Sequence, residues 1–160
     1  DQRITSVGYA MVAGSANAVL YPTPRERYLS LPTHAFTPYQ GATNIILSPT
    51  MQTNGNWAGA PVQIPNGAVI TKVEFIVFNG GGGSVTGLLE AHTSTTNSVT
   101  VSTLVNVATS GVTPTTQTLI GTPNVTVDYL TKRYVVYVRT ISPAVCHGVL
   151  VTYTIVDPAP

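Results

Sequence analysis

No helix can be drawn through residues 68–79, AVITKVEFIVFN. Val69, Thr71, Val73, Phe75 and Val77 fall on one side of this run, and Ile70, Lys72, Glu74, Ile76 and Phe78 on the other. That period of two belongs to extended backbone, where successive Cβ atoms point to opposite faces. Threonine and valine dominate the whole chain, 25 and 22 of 160 residues. Branching at Cβ stiffens both and suits them to a pleated sheet.

The same rhythm continues downstream. Gly80 to Gly83 make a turn, since glycine takes up positive φ without steric cost. Residues 84–93 return as a strand, with Leu88 and Glu90 opposed to Val85, Leu89 and Ala91. In 99–107, Val99, Val101, Val105 and Val107 alternate with Thr100, Ser102 and Asn106. Short strands follow at 116–120 and 125–127. Residues 133–141 set Tyr134, Val136 and Val138 against Arg133, Val135, Tyr137 and Arg139. Residues 145–156 close the series, Val149, Val151, Tyr153 and Ile155 opposing Leu150, Thr152 and Thr154. Strands spaced by roughly ten residues, with Gly, Pro, Ser and Asn turns between, predict an all-β fold, an antiparallel β-sandwich. Its expected core is Val73, Phe75, Val77, Leu89, Val101, Val136, Val138, Val149, Val151 and Tyr153.

Residues 1–67 read differently. Residues 4–12 have strand character, but Pro22, Pro24, Pro32, Pro38, Pro49, Pro61 and Pro65 are too many for central strands. Short strands fit 18–21, 44–47 and 62–64, and 50–59, TMQTNGNWAG, reads as an exposed loop presenting Trp57. The expectation is one sandwich domain over 1–160, with 1–67 as a Pro-rich N-terminal strand, arm and long loops, and 68–156 as the main strand core.

The stretches IPNGAVITKVEFIVFNGGGGSVTGLLEAHT, VTVDYLTKRYVVYVRT and HGVLVTYTI resemble jelly-roll domains of secreted bacterial and archaeal surface, fibre and filament proteins. The resemblance spans residues 63–155. It implies a jelly-roll-like fold and an extracellular, cell-surface location, and it brings no catalytic residue.

Charge narrows the function further. Lys and Arg number 7 and Asp and Glu 6, a net charge of +1, where an average domain of this length carries about 40 charged residues. That balance leaves no electrostatic footprint for nucleic acid. Nor does any apolar run approach the ~18 residues of a membrane helix, so no membrane insertion is expected. Asp1 has no basic-then-apolar leader before it, so the expectation is either a mature form after removal of a secretion signal or a trimmed chain. Cys146, the single cysteine, lies in an apolar run and reads as a small core hydrophobe. Asn124-Val125-Thr126 is a sequon, of a kind that chance produces in a Thr-rich chain.

Reactive groups do not gather. His92 and Glu90 share a strand face, but zinc wants three or four convergent ligands, and His34 or His147 would have to come from elsewhere. Glu74 and Glu90 flank the glycine turn, the spacing of possible neighbours for a glycosidase pair, although Lys72 beside Glu74 makes surface charge pairing the simpler reading. No Gly-x-Ser-x-Gly elbow is present, and no helix or lysine follows the glycine run. The expectation is a protein with no enzymatic activity and no cofactor.

Two features point to binding instead. Tyr9, Tyr21, Tyr28, Tyr39 and Trp57 lie in the Pro-rich half, and exposed rings stack on sugar faces; Trp57 and Tyr39 are the candidate glycan platform. Residues 28–71 and 91–127 contain no Asp, Glu, Lys or Arg, although monomeric β proteins guard their sheet edges with charge. The principal expectation is therefore a structural subunit that associates with copies of itself in an extracellular filament or surface assembly, by β-strand addition. Ile4, Val7, Tyr9, Met11 and Val12 are the candidate interface residues of the donated strand. A non-catalytic carbohydrate-binding module is the alternative.

Overall fold

The computed structural model describes residues 24–39, 49–109 and 113–155. Ten strands run in order through them: β1 (Arg25–Pro32), β2 (Thr37–Pro38), β3 (Trp57–Pro61), β4 (Val69–Phe78), β5 (Ser84–Ser94), β6 (Val99–Ala108), β7 (Thr116–Gly121), β8 (Val125–Thr126), β9 (Lys132–Ile141) and β10 (Val145–Ile155). One turn of 3₁₀ helix, Thr33–Ala35, follows β1. The seven strands expected downstream of residue 68 are all present.

All pairings are antiparallel and form two sheets. One has the order β1-β10-β4-β7, with β8 also beside β4; the other is β2-β3-β9-β5-β6. Set aside the two-residue β2 and β8, and eight strands remain in the orders first-eighth-third-sixth and second-seventh-fourth-fifth. Such interleaving is that of a jelly roll, a sandwich of two sheets built from Greek keys. The connections β4–β5, β6–β7 and β9–β10 therefore cross between sheets. The glycine turn is one of these crossings and not a hairpin. Gly80, Gly81 and Gly82 take φ of 69°, 71° and 96°, a left-handed path that side chains resist.

Between the sheets Val73, Phe75 and Val77 of β4 and Val149 and Val151 of β10 face Val85 and Leu89 of β5 and Val136 and Val138 of β9, all buried. Tyr153 is half-buried and packs against this cluster.

Val101 is the correction to the expected core: it is 49% exposed. The cause is a bulge. Leu89 faces Val105, but Glu90 faces Thr103, leaving Leu104 as an extra residue in β6. At the far end, the tight turn in which Thr95 N–H donates to Ser98 O (2.8 Å) fixes Ser94 opposite Val99. Residues 90–93 of β5 must then span the same distance as residues 100–104 of β6, four against five. The surplus residue reverses the alternation, so Val99 and Val101 share the outer face with Glu90 and His92. A second irregularity places Ile70 opposite Tyr153 and Lys72 opposite Thr152, with Thr71 as the extra residue. Ile70 is consequently buried and Val69 is not, the reverse of simple alternation.

The first 67 residues contribute more than wrapping. β1 is a full strand against β10, and β3 lies within the second sheet. Leu31, Phe36, Met51, Ala58, Ala60, Val62 and Ile64 all join the core, which therefore extends outside 68–156. Trp57 is not held out on a loop but starts β3, opposite Arg139. Its small followers Ala58, Gly59 and Ala60 fit the close space beside β9. The expected strand at 62–64 is absent: pairing ends at Pro61, Val62 N–H reaches Tyr134 O (2.9 Å), and Ile64 N–H turns to the Tyr129 hydroxyl (3.3 Å). The expected strands at 4–12, 18–21 and 44–47 lie outside the described residues.

Candidate functional site

Two surfaces stand out. The first is one edge of the sandwich. β6 ends the second sheet and β7 ends the first, and both lie within the uncharged stretch 91–127. Their contact is close: a Cβ on Gly121 of β7 would stand 2.2 Å from Val105 Cγ1 of β6. Val99 is 61% and Ile120 52% exposed on these strands. The first sheet ends at its other side in β1, which carries Arg25, Glu26 and Arg27, so that sheet is charged at one edge and uncharged at the other.

The second surface is the outer face of sheet β2-β3-β9-β5-β6. Gly59, Tyr137 and Leu88 are consecutive neighbours across β3, β9 and β5. A Cβ at Gly59 would come 2.7 Å from the Tyr137 ring, so the glycine makes room for that ring on the sheet. Around Tyr137 gather Tyr39, with centroids 5.5 Å apart at 78°, and Trp57, at 6.5 Å and 83°. His92 stacks on it at 6.0 Å and 26°. The Arg139 guanidinium lies 6.0 Å from the Trp57 ring centroid, its Nε–H donating to Gly55 O (2.8 Å).

Polar groups complete the notch. His92 Nε2 and Glu90 Oε2 are 3.0 Å apart. Burial first, then Glu90 and Tyr39, raise the Tyr137 phenol above its ordinary pKa, so it keeps its proton and can donate a hydrogen bond. The rings, with Leu88, Glu90, His92 and Val101, enclose about 370 Å³. Tyr39 and Tyr137 also border a smaller hollow of about 160 Å³ on the Pro38–Pro61 side. Pro61 and Val135 in turn border a third of about 580 Å³, which reaches Ile64, Tyr129 and Arg133. Adjacent hollows thus share lining residues, Tyr39 and Tyr137 in the first two and Pro61 and Val135 in the last two.

The structure thus brings together Trp57 and Tyr39, the two residues chosen from sequence, and adds Tyr137 as the ring between them. They do not make a flat platform, because both stand nearly perpendicular to Tyr137. Tyr137 was legible only as an outward residue on β9; its signal was an aromatic ring among alternating positions of a central strand. Tyr28 belongs to the other sheet, 61% exposed, with its hydroxyl donating to Glu26. Tyr9, Tyr21 and the interface residues Ile4, Val7, Tyr9, Met11 and Val12 lie outside the described residues.

The remaining candidates separate. Glu74 pairs with Lys72 at 3.0 Å on β4, and Glu90 pairs with His92 on β5 in the other sheet, so the two carboxylates point outward from opposite faces. Among the described residues no three His, Cys, Asp or Glu side chains converge. Cys146 is fully buried, and burial pushes its thiol up to about 11.

No family model matches the chain, and no curated protein matches it. Among solved structures, a chain in the structure of infectious bursal disease virus, Gx strain, is similar at 12% identity and a TM-score of 0.32. The match covers 86% of this chain, which spans 35% of the length of that one.

Proposed function

We propose that the protein is a non-catalytic structural subunit that associates with copies of itself in an extracellular filament or surface assembly. The observation that carries this reading is the β6–β7 edge, uncharged throughout and bearing exposed Val99 and Ile120. Backbone N–H and C=O groups at a sheet margin accept a further strand, and nothing charged on these two strands repels one. A donated strand from residues 4–12 of a neighbour, with Ile4, Val7, Tyr9, Met11 and Val12 supplying its side chains, is the proposed route; a head-to-tail contact of this kind grows a fibre.

Light scattering tests it. Val99→Lys with Ile120→Lys puts two like charges on the edge at positions where surface substitution changes stability by no more than ~0.5 kcal/mol. The expected outcome is a folded monomer where the parent chain forms larger species. Assembly that survives both lysines counts against the edge. Removal of residues 1–14 is expected to give the same monomer, and assembly unchanged by that removal counts against strand donation.

Glycan binding is the second reading. The observation favouring it is the convergence of Tyr39, Trp57 and Tyr137 on the Glu90–His92 pair.

A further inference from the structure

We infer that the notch around Tyr137 is the binding site for an uncharged glycan, held by Tyr39, Trp57 and Tyr137 through its C–H faces and by Glu90 and His92 through its hydroxyls. This rests on the second reading above and gives it a place and a ligand class.

The charge of the notch selects the class. Three rings beside a carboxylate would ordinarily suit an alkylated ammonium ion. Here the Glu90 carboxylate is already engaged by His92 at 3.0 Å and the Arg139 guanidinium lies 6.0 Å from the Trp57 ring centroid, so two of the features such a cation would use are taken. A strongly anionic chain would meet the Glu90 carboxylate in the lining. A neutral ligand rich in hydroxyls gains from both parts. Its apolar C–H faces cover the rings, and its hydroxyls meet a carboxylate, an imidazole and a phenol.

The polar half is built for acceptance. Glu90 keeps one carboxylate oxygen on His92 Nε2, and among the described residues its other oxygen has no protein partner at hydrogen-bond distance. The Glu90 side chain is only 16% exposed, so its hydrogen bonds form where bulk water competes weakly. From β3 to β6 the face spans three inter-strand steps of ~4.8 Å, about 14 Å, which suits a short oligosaccharide lying across the strands.

The chain supplies its own reporter, because Trp57 is the single tryptophan. The probes are hexasaccharides of cellulose, chitin, xylan and β-1,3-glucan, titrated while Trp57 fluorescence is read, with isothermal calorimetry alongside. A saturable change with at least one of them is expected. Tyr39→Ala and Glu90→Gln are each expected to weaken it about tenfold, the loss of one stacking ring or one charge-assisted hydrogen bond. Tyr39 is 45% exposed, so its removal is expected to leave the sandwich folded, which circular dichroism checks. Binding by calorimetry that both variants leave unchanged overturns this site while glycan binding itself stands. Absence of any response overturns both. A saturable response to a polyproline peptide and to no sugar also overturns the inference, in favour of a peptide groove.

Discussion

The ring of Phe75 on β4 rests directly on Gly87 of β5, where a Cβ would stand 2.6 Å from the ring carbons. Phe75 is fully buried and cannot swing aside. The two sheets therefore approach one another at a contact that admits no side chain on β5. Gly87→Ala is expected to cost ~1–3 kcal/mol through overpacking. Urea unfolding should show a lower midpoint at constant slope, and an unchanged midpoint would mean the sheets part freely.

Thr53 and Thr140 form a buried reciprocal pair. Thr53 N–H donates to Thr140 Oγ1 and Thr140 N–H donates to Thr53 Oγ1, both at 2.7 Å. Thr53→Val keeps the shape but leaves the Thr140 N–H without its acceptor, at a cost of ~1–3 kcal/mol. Thermal unfolding checks this. A variant as stable as the parent would show that another acceptor takes the place of the hydroxyl.

Cys146 should be inert in the native state. Its thiol is fully buried and pushed up to about 11, so the reactive thiolate is scarce at mildly alkaline pH. A thiol reagent is expected to label it slowly in buffer and promptly in guanidinium. Rapid native labelling would contradict the burial.

Asp128 organises the turn before β9. Thr131 Oγ1 donates to Oδ2 at 2.6 Å and Leu130 N–H to Oδ1 at 3.0 Å. The Thr131 hydroxyl is the largest of several influences that lower its pKa, against a smaller opposing effect of burial. A carboxyl depressed in the folded state favours folding above its ordinary pKa, and that contribution is lost as pH falls through the lowered value. An NMR titration should therefore place Asp128 below the ordinary carboxylate range, and Thr131→Val should return it upward. Equal midpoints in the two proteins would refute the hydroxyl's part.

Strand rhythm alone made the fold class legible, because β4, β5, β9 and β10 alternate over long runs. β1 escaped because RERYLSLP is charged and proline-terminated, and β3 because WAGAP is small and short. Both are strands by virtue of their neighbours β10 and β9 and not by their own propensity. Val101 was misplaced for a related reason, since a bulge is set by what two ends of a ladder demand and leaves no mark in local composition. Of the notch, Trp57 and Tyr39 could be picked out as rings in an uncharged segment. Their meeting with Tyr137, Glu90 and His92 depends on β3 pairing with β9, which no local pattern announces.

The surplus residue at Leu104 makes loop length a determinant of surface chemistry. One residue added to the turn at 95–98 would give β6 the slack to slide along β5 into a regular ladder. Val99 and Val101 would then leave the outer face and turn to the inner side, stripping the notch of one wall. An insertion that replaces no strand residue would thus change what both the edge and the face present. Among related chains, length variation in that turn is accordingly a sharper marker of an altered outer face than substitution at the valines themselves.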